Sequence, residues 1–463
     1  MSQLHASPVA MENCAPLDFR ARTAVWCRRL PRQLREYLQF DAGLLTSAAG
    51  LAAVSASSAL RLLGKRDSAA RLEAILHRGA YSAIADKLIE RRLLQAVQHD
   101  RAQFRRFIEQ YPEQPTTAAF FQDPFRMLGH RALVVKSPRA GEKGVLALDY
   151  FFAFVLFAKL FDVETIAQRY HLLLEPSWTG YCNYELLCYL GYDFPVFVQT
   201  YEPRDIAFVK RFPRNFVPIP VAGNWWVDHR IFRPLPGATR DADVLMIAGW
   251  AKYKRHDHVF SALAKLRSRG EKLKTILVGY PGDMSLNDLW RLARYHGVSD
   301  QLEIFERVDA EEVNRQLNRV KVNVLWSRRE GFNRAIIEGL WSNTPGIMRR
   351  GFNYGYEYPY INAQTGSFST ERELPDKLLS IARHHEEYAS RHWVQEHMSP
   401  QIATRVVDEH FARYAAVQGE PWTTGQIEVK VTFLDGMRYW DEGKRPQFAD
   451  DYAYLQSMLR TNR

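Results

Sequence analysis

The sequence predicts an α/β protein built of two doubly wound parallel-sheet domains behind a helical amino-terminal extension. Three observations carry this expectation. The chain has 463 residues, and single cores stop growing near about 250–300 residues. From Arg131 onward, short apolar runs alternate with helical stretches, the texture of βαβ units. That alternation is interrupted once, where Pro213, Pro218, Pro220 and Gly223 cluster in what reads as an interdomain linker. The expected boundaries are an extension over 1–110, a first α/β domain over 111–222, a second over 223–420 and a helical tail over 421–463 that packs back on the first domain.

The extension opens with a basic cluster, Arg20, Arg22, Arg28, Arg29, Arg32 and Arg35, followed by an Ala/Ser/Leu run from Ala42 to Leu63. The run has the length of a membrane span, about 20 residues, but its many Ala, Ser and Gly make it weakly apolar. Two readings stand side by side. One is a soluble helix pair; the other is a helix on an anionic membrane surface, drawn there by the arginines. Met1 to Leu17 show no apolar stretch behind a basic head, so a secretory signal is not expected. Cys14, Cys27, Cys182 and Cys188 have neither metal-type spacing nor a C-x-x-C motif. Free thiols in a reducing compartment follow, and with them a cytoplasmic location, peripheral to the inner face of the membrane on the second reading.

In the first domain, strands are expected at Ala132–Val135, His171–Leu174 and Pro195–Gln199, with an apolar run over Ala147–Leu160. The aromatic segment Tyr150–Phe161 is too short to span a bilayer and reads as a buried core helix. The second domain is more legible. Strands fall at Val244–Ile247, Lys274–Val278, Leu302–Phe305, Val322–Trp326 and Gly346–Met348, with helices near 257–269, 286–296, 310–319, 333–342 and 373–384. In such sheets ligands bind outside the carboxyl ends of the strands. The loops after Gly249, Val278, Phe305 and Trp326 are therefore the places to look for chemistry.

The strongest candidate is Ser327-Arg-Arg-Glu330-Gly331-Phe332-Asn333-Arg334-Ala-Ile-Ile-Glu338, which follows a strand and opens a helix. Unpaired N–H groups and a partial charge of about +0.5 make a helix start a site for phosphate oxygens. Gly331 lets backbone approach closely. On one straight helix, Glu330 and Glu338 would stand about 12 Å apart. That exceeds the roughly 5–9.5 Å of a hydrolytic carboxylate pair. The spacing suits two carboxylates gripping opposite ends of a long polyhydroxylated ligand such as a nucleotide sugar.

These residues, with Asn343-Thr344-Pro345-Gly346 behind them, resemble the donor domain of the retaining GT-B transferases of glycosyltransferase family 4, the group 1 type. That family carries a Glu, Gly-Phe-Gly, and a second Glu eight positions after the first. The resemblance extends through Val227-Asp228 to Phe232-Arg233-Pro234, through Ile276-Leu277-Val278-Gly279-Tyr280-Pro281-Gly282, and through Ile361-Asn-Ala-Gln-Thr-Gly366. It covers about Val227 to Phe411. It implies a GT-B fold of two Rossmann-like domains facing a cleft. By resemblance, Glu330 contacts the transferred hexose, Glu338 binds the ribose hydroxyls, and Gly331, Phe332 and Asn333 present backbone N–H groups to sugar and phosphate. Gly249, Gly279, Arg307 and Ser327, at the strand ends, complete the expected donor-binding set.

Two departures stand out. The family places an Arg after the glycine of its first donor-domain strand and a Lys five residues later, both on the diphosphate. Here Trp250 follows Gly249, and Arg255 takes the Lys position in the run Lys252-Tyr-Lys254-Arg255. A departing diphosphate gains charge and needs a cation. Arg255 is the expected catalytic cation, with Lys252 or Lys254 in place of the missing Arg. Asn333 stands where the family has Gly and adds a side chain beside the sugar. In the first domain, Ser137 to Gly144, with Gly141 and Gly144, fits the acceptor-side loop that approaches the donor, and Glu175-Pro-Ser177-Trp178 fits a border of the acceptor.

The expected activity is transfer of a hexose from a UDP-, GDP- or ADP-sugar to a glycan or lipid-linked acceptor, with retention, in polysaccharide or glycoconjugate synthesis. No cofactor and no metal are expected, because Asp241-Ala-Asp243 precedes its strand, at the edge opposite the ligand loops. The alternative is a nucleotide-sugar-binding protein without turnover. The net charge of +10 also suits an anionic partner. Nucleic acid is not expected, since the basic residues form no dense stripe with aromatic platforms.

Overall fold

A computed structural model describes residues 7–9, 17–40 and 42–460; Cys14 lies outside them. The chain divides into two compact units. One comprises Met1–Leu34 and Val227–Ser399, the other Arg35–Trp226 and Pro400–Arg463.

The second of these is built on a five-stranded sheet of β1 (Ala132–Lys136), β2 (Gly144–Asp149), β3 (Tyr170–Glu175), β4 (Val196–Gln199) and β5 (Phe216–Ile219), in that order. β2 to β5 are parallel, whereas β1 pairs antiparallel with β2. Continuous apolar runs buried on both faces suit the parallel strands. The helix Phe151–Leu160 is buried at eight of its positions, as a core helix requires. Among the described residues seven helices precede the sheet, beginning with Phe19–Phe40 and Leu44–Leu62. The tail adds the long helix Pro400–Gln418 and a hairpin of β12 (Lys430–Phe433) and β13 (Gly436–Tyr439).

Two expectations change here. The segment read as a linker contains β5, and the unit runs on to Trp226. Pro218 is accommodated because β5 is the edge strand, where a missing N–H interrupts no further ladder. The turn with Gly141 and Gly144 joins an antiparallel pair, and Gly144 opens β2 in register with Tyr170, the first residue of β3. It therefore lies at the amino ends of the parallel strands. The expectation that it approaches a ligand at the carboxyl ends is corrected accordingly.

The other unit is a fully parallel six-stranded sheet in the order β11-β10-β9-β6-β7-β8. Its strands are β6 (Val244–Ile247), β7 (Thr275–Gly279), β8 (Leu302–Glu306), β9 (Val322–Leu325), β10 (Gly346–Arg349) and β11 (Gly366–Ser369). Helices His256–Arg267, Leu286–His296, Ala310–Arg319, Arg334–Trp341 and Leu374–His384 stand where the sequence places them. The core packs Val244, Met246, Leu277, Val324 and Ile347 of the sheet against Val259, Leu263, Leu289 and Leu378 of the helices. Strand order reverses between β6 and β9. Neighbouring loops diverge at such a point and leave a crevice at the carboxyl ends.

Candidate active site

The reversal brings together the loops after β6 and β9. Lys254 Nζ lies 2.8 Å from Glu330 Oε2. The Ser327 hydroxyl donates to Oε1 of the same carboxylate. Burial alone would lower the pKa of Lys254, but the adjacent Glu330 charge outweighs it and raises the value. The loop after β10 forms a third side. Asn353, at a positive φ of 50°, accepts a hydrogen bond from the Glu330 backbone N–H at 2.9 Å and donates to the Tyr358 hydroxyl at 2.6 Å. Glu330 is thus held at its backbone and at both carboxylate oxygens.

The helix begins only at Arg334, so Glu330 belongs to the preceding loop and Glu338 to the helix. The straight-helix separation does not apply to the pair. Glu338 pairs with Arg334 at 3.7 Å across one turn, and burial raises its pKa. Asn333 occupies the N-cap but makes no capping bond. Its amide Nδ2 donates to the Tyr360 hydroxyl at 2.8 Å, while Oδ1 is buried without a partner. N-cap Asn ordinarily accepts from the first turn. Here the Asn333 side chain does not occupy the N–H groups of that turn, where a ligand's oxygens can bind. Gly331 is buried and Phe332 half-buried in the turn before the helix.

The basic run is divided by backbone geometry. Arg255 is left-handed, at φ 63°, and its buried guanidinium turns to Glu371 and His258. Burial would raise Glu371, but hydrogen bonding from His258 together with the Arg255 charge pulls it down to about 2. Lys254, not Arg255, therefore stands on Glu330. Lys252 is exposed, and both its backbone N–H and its ammonium group face Asp283. Trp250 is fully buried in the core cluster, so the position where the family has Arg serves packing. A side chain on Gly279 would meet the Ala248 carbonyl oxygen at 2.1 Å, which assigns that glycine to close strand packing. A Cβ on Gly249 would lie 3.2 Å from Tyr280 Cζ, so the Tyr280 ring rests on the glycine. Arg307, beyond β8, is exposed, with its guanidinium 3.5 Å from Glu306. Asp241 pairs with Arg319 and Lys274, and Asp243 with Lys321.

In the other unit, polar groups gather at the carboxyl ends of the strands. Asp149 ends β2 fully buried, 2.8 Å from Arg131 and with Oδ1 unpartnered. Burial, reinforced by Glu175 and opposed by Arg131, pushes its pKa up to about 7. Glu175, at the end of β3, binds Lys430 at 2.5 Å, and Gln199 of β4 accepts from the Trp226 indole at 2.8 Å. Tyr150, next to Asp149, has a φ of 66°, strained for a side-chain-bearing residue. Sequence reading passed over Asp149 and Lys430. The available signal was a single carboxylate closing the apolar run Gly-Val-Leu-Ala-Leu-Asp. Trp178 is 36% exposed.

A parallel sheet whose cation, carboxylate and open helix start converge at the strand-order reversal is a nucleotide-binding type of domain. Residues 228–382 match the family Glycosyl transferases group 1, and this part of the chain is a domain of that kind. No curated protein matches the chain in sequence. Among solved structures, sucrose-phosphate synthase from Thermosynechococcus elongatus is 14% identical, with a TM-score of 0.47, over 66% of this chain and 78% of that one. The pneumococcal O-GlcNAc transferase GtfA, in complex with UDP and GlcNAc, is 17% identical, with a TM-score of 0.41, over 57% and 55%. The C-terminal domain of the group 1 glycosyl transferase LpcC from Francisella tularensis is 16% identical, with a TM-score of 0.32, over 37% and 97%.

Proposed function

We propose that the chain is a retaining, metal-independent GT-B glycosyltransferase that moves a hexose from a nucleotide-diphosphate sugar to a glycan or lipid-linked acceptor. The observation that carries the reading is the Lys254–Glu330 pair, set beside the open start of helix Arg334–Trp341. A nucleotide sugar presents two things to such a place. Its diphosphate seeks the helix N–H groups and a cation, and its sugar hydroxyls seek carboxylate and amide oxygens. As the glycosyl bond breaks, negative charge builds on the leaving diphosphate, and Lys254 with the first-turn N–H groups stabilises it. Glu330, fixed by Ser327 and Asn353, orients the sugar. Glu338 takes the ribose hydroxyls.

A panel of UDP-, GDP- and ADP-sugars, scored by thermal shift and then by acceptor-dependent release of nucleoside diphosphate, tests this. A ligand of the native state raises the unfolding midpoint. No shift with any donor overturns the reading. The second reading, binding without turnover, draws on Trp250 in the core where the family has a cation and on Arg255 engaged with Glu371. It predicts the shift without the release.

A further inference from the structure

We propose that the leader helix Phe19–Phe40 docks the protein on an anionic lipid surface. The inference concerns where the protein works and is independent of the transfer reaction.

Its arginine-rich part, up to Leu34, belongs to the unit with the six-stranded sheet and is held there on one side only. Val25 is buried, Arg29 pairs with Asp257 at 2.9 Å, and Arg32 stands 3.8 Å from the same carboxylate. The Arg29 guanidinium also lies over the Tyr295 ring, 4.8 Å from its centroid. The other side is apolar and uncovered. Phe19 is 84% exposed, Trp26 51%, Leu30 45% and Leu34 55%. At about 100° per residue these four fall within an arc of roughly 80°. Isolated exposed apolar residues are ordinary, whereas four on one arc of one helix form a patch.

Charge selects the occupant. The helix carries six arginines against one glutamate, Glu36. Arg20 and Arg22, both exposed, flank the apolar arc, each about 40° beyond one of its edges. A second copy of this helix would bring arginine against arginine. An anionic bilayer answers both features, because acyl chains accept the aromatic and leucine side chains while head-group phosphates accept the guanidinium groups. Among the described residues no single helix is long and apolar enough to cross a membrane.

The test is sedimentation of the full-length protein with phosphatidylcholine vesicles, with and without phosphatidylglycerol, at low and high salt. The expected result is retention on the phosphatidylglycerol vesicles alone, weakened by salt. Trp26→Ser combined with Leu30→Ser lowers the partition coefficient at least on the order of tenfold. Arg20→Gln and Arg22→Gln lower it about fivefold each. All four positions are exposed, so the variants fold, and an unfolding midpoint equal to wild type verifies it. Equal retention on neutral and anionic vesicles, retention unchanged by the apolar pair, or no retention at all overturns the proposal. So does a concentration-dependent dimer that the same substitutions abolish in the absence of lipid.

Discussion

Asn333→Ala isolates the contribution of one amide to donor recognition. In the free protein Nδ2 is bound to Tyr360 at 2.8 Å and Oδ1 is buried without a donor. A buried unsatisfied acceptor costs about 1–3 kcal/mol, and a neutral hydrogen bond contributes about 0.5–1.5 kcal/mol net. When a sugar hydroxyl donates to Oδ1, the substitution removes that bond from the complex. It raises the dissociation constant about 2- to 12-fold. In the free protein two changes oppose each other, relief of the unsatisfied oxygen and loss of one partner for the Tyr360 hydroxyl. They offset to within about 1 kcal/mol, so the unfolding midpoint moves by no more than about 4 °C. The assay is calorimetric titration with the nucleotide sugar and, separately, with the nucleoside diphosphate. Weaker binding is expected only for the ligand that carries the sugar. Equal weakening of both ligands, or of neither, refutes the placement of Oδ1 on the sugar.

Glu330→Gln keeps the volume but removes the charge facing Lys254, and turnover falls on the order of a hundredfold or more with the fold intact; near-normal turnover takes Glu330 out of the reaction. Transfer persists in excess chelator, and loss of activity restored by magnesium or manganese contradicts metal-independent transfer. Asp149 titrates near pH 7 in the folded protein, against about 3.9 when unfolded. Its raised value favours the protonated native state, so its contribution is fully present below about pH 4 and lost as the pH rises to about 7. Asp149→Asn removes that slope, and its unfolding midpoint relative to wild type climbs across this window and then levels. A constant difference from pH 4 to pH 8 assigns the slope to other groups.

The parts of the fold legible in the sequence are those where one residue type has one reading. Val244–Ile247 is an apolar run and Val322–Leu325 one interrupted only by Asn323, and each is followed by a helix with its own periodicity. β5 was hidden because Pro218 reads as a break unless the strand is known to lie at an edge, and edge position is a property of the assembled sheet. The antiparallel direction of β1 was hidden for the same reason. Direction is set by the partner strand, and a Gly-rich turn serves a hairpin as readily as a ligand loop. At the site, the segment from Ser327 to Glu338 announced itself by its place after a strand. The choice between Lys254 and Arg255 did not. It depends on the left-handed backbone at Arg255, which turns two adjacent side chains to different partners.

That division has a consequence for how the unliganded site keeps its charges. A half-buried ammonium group beside a carboxylate is positioned by the pair itself, and the loop needs no further contact to aim it. When a diphosphate binds, Lys254 gains a second anion while Glu330 retains the Ser327 hydroxyl and the sugar hydroxyls to satisfy it. Exchange of partners is therefore inexpensive at Lys254. At Arg255 it costs more, because the buried guanidinium is held by Glu371, which also binds His258, and release would leave a buried charge without its carboxylate. In the proposed reaction the lysine follows charge onto the leaving group, and the arginine fixes the loop from which the lysine reaches.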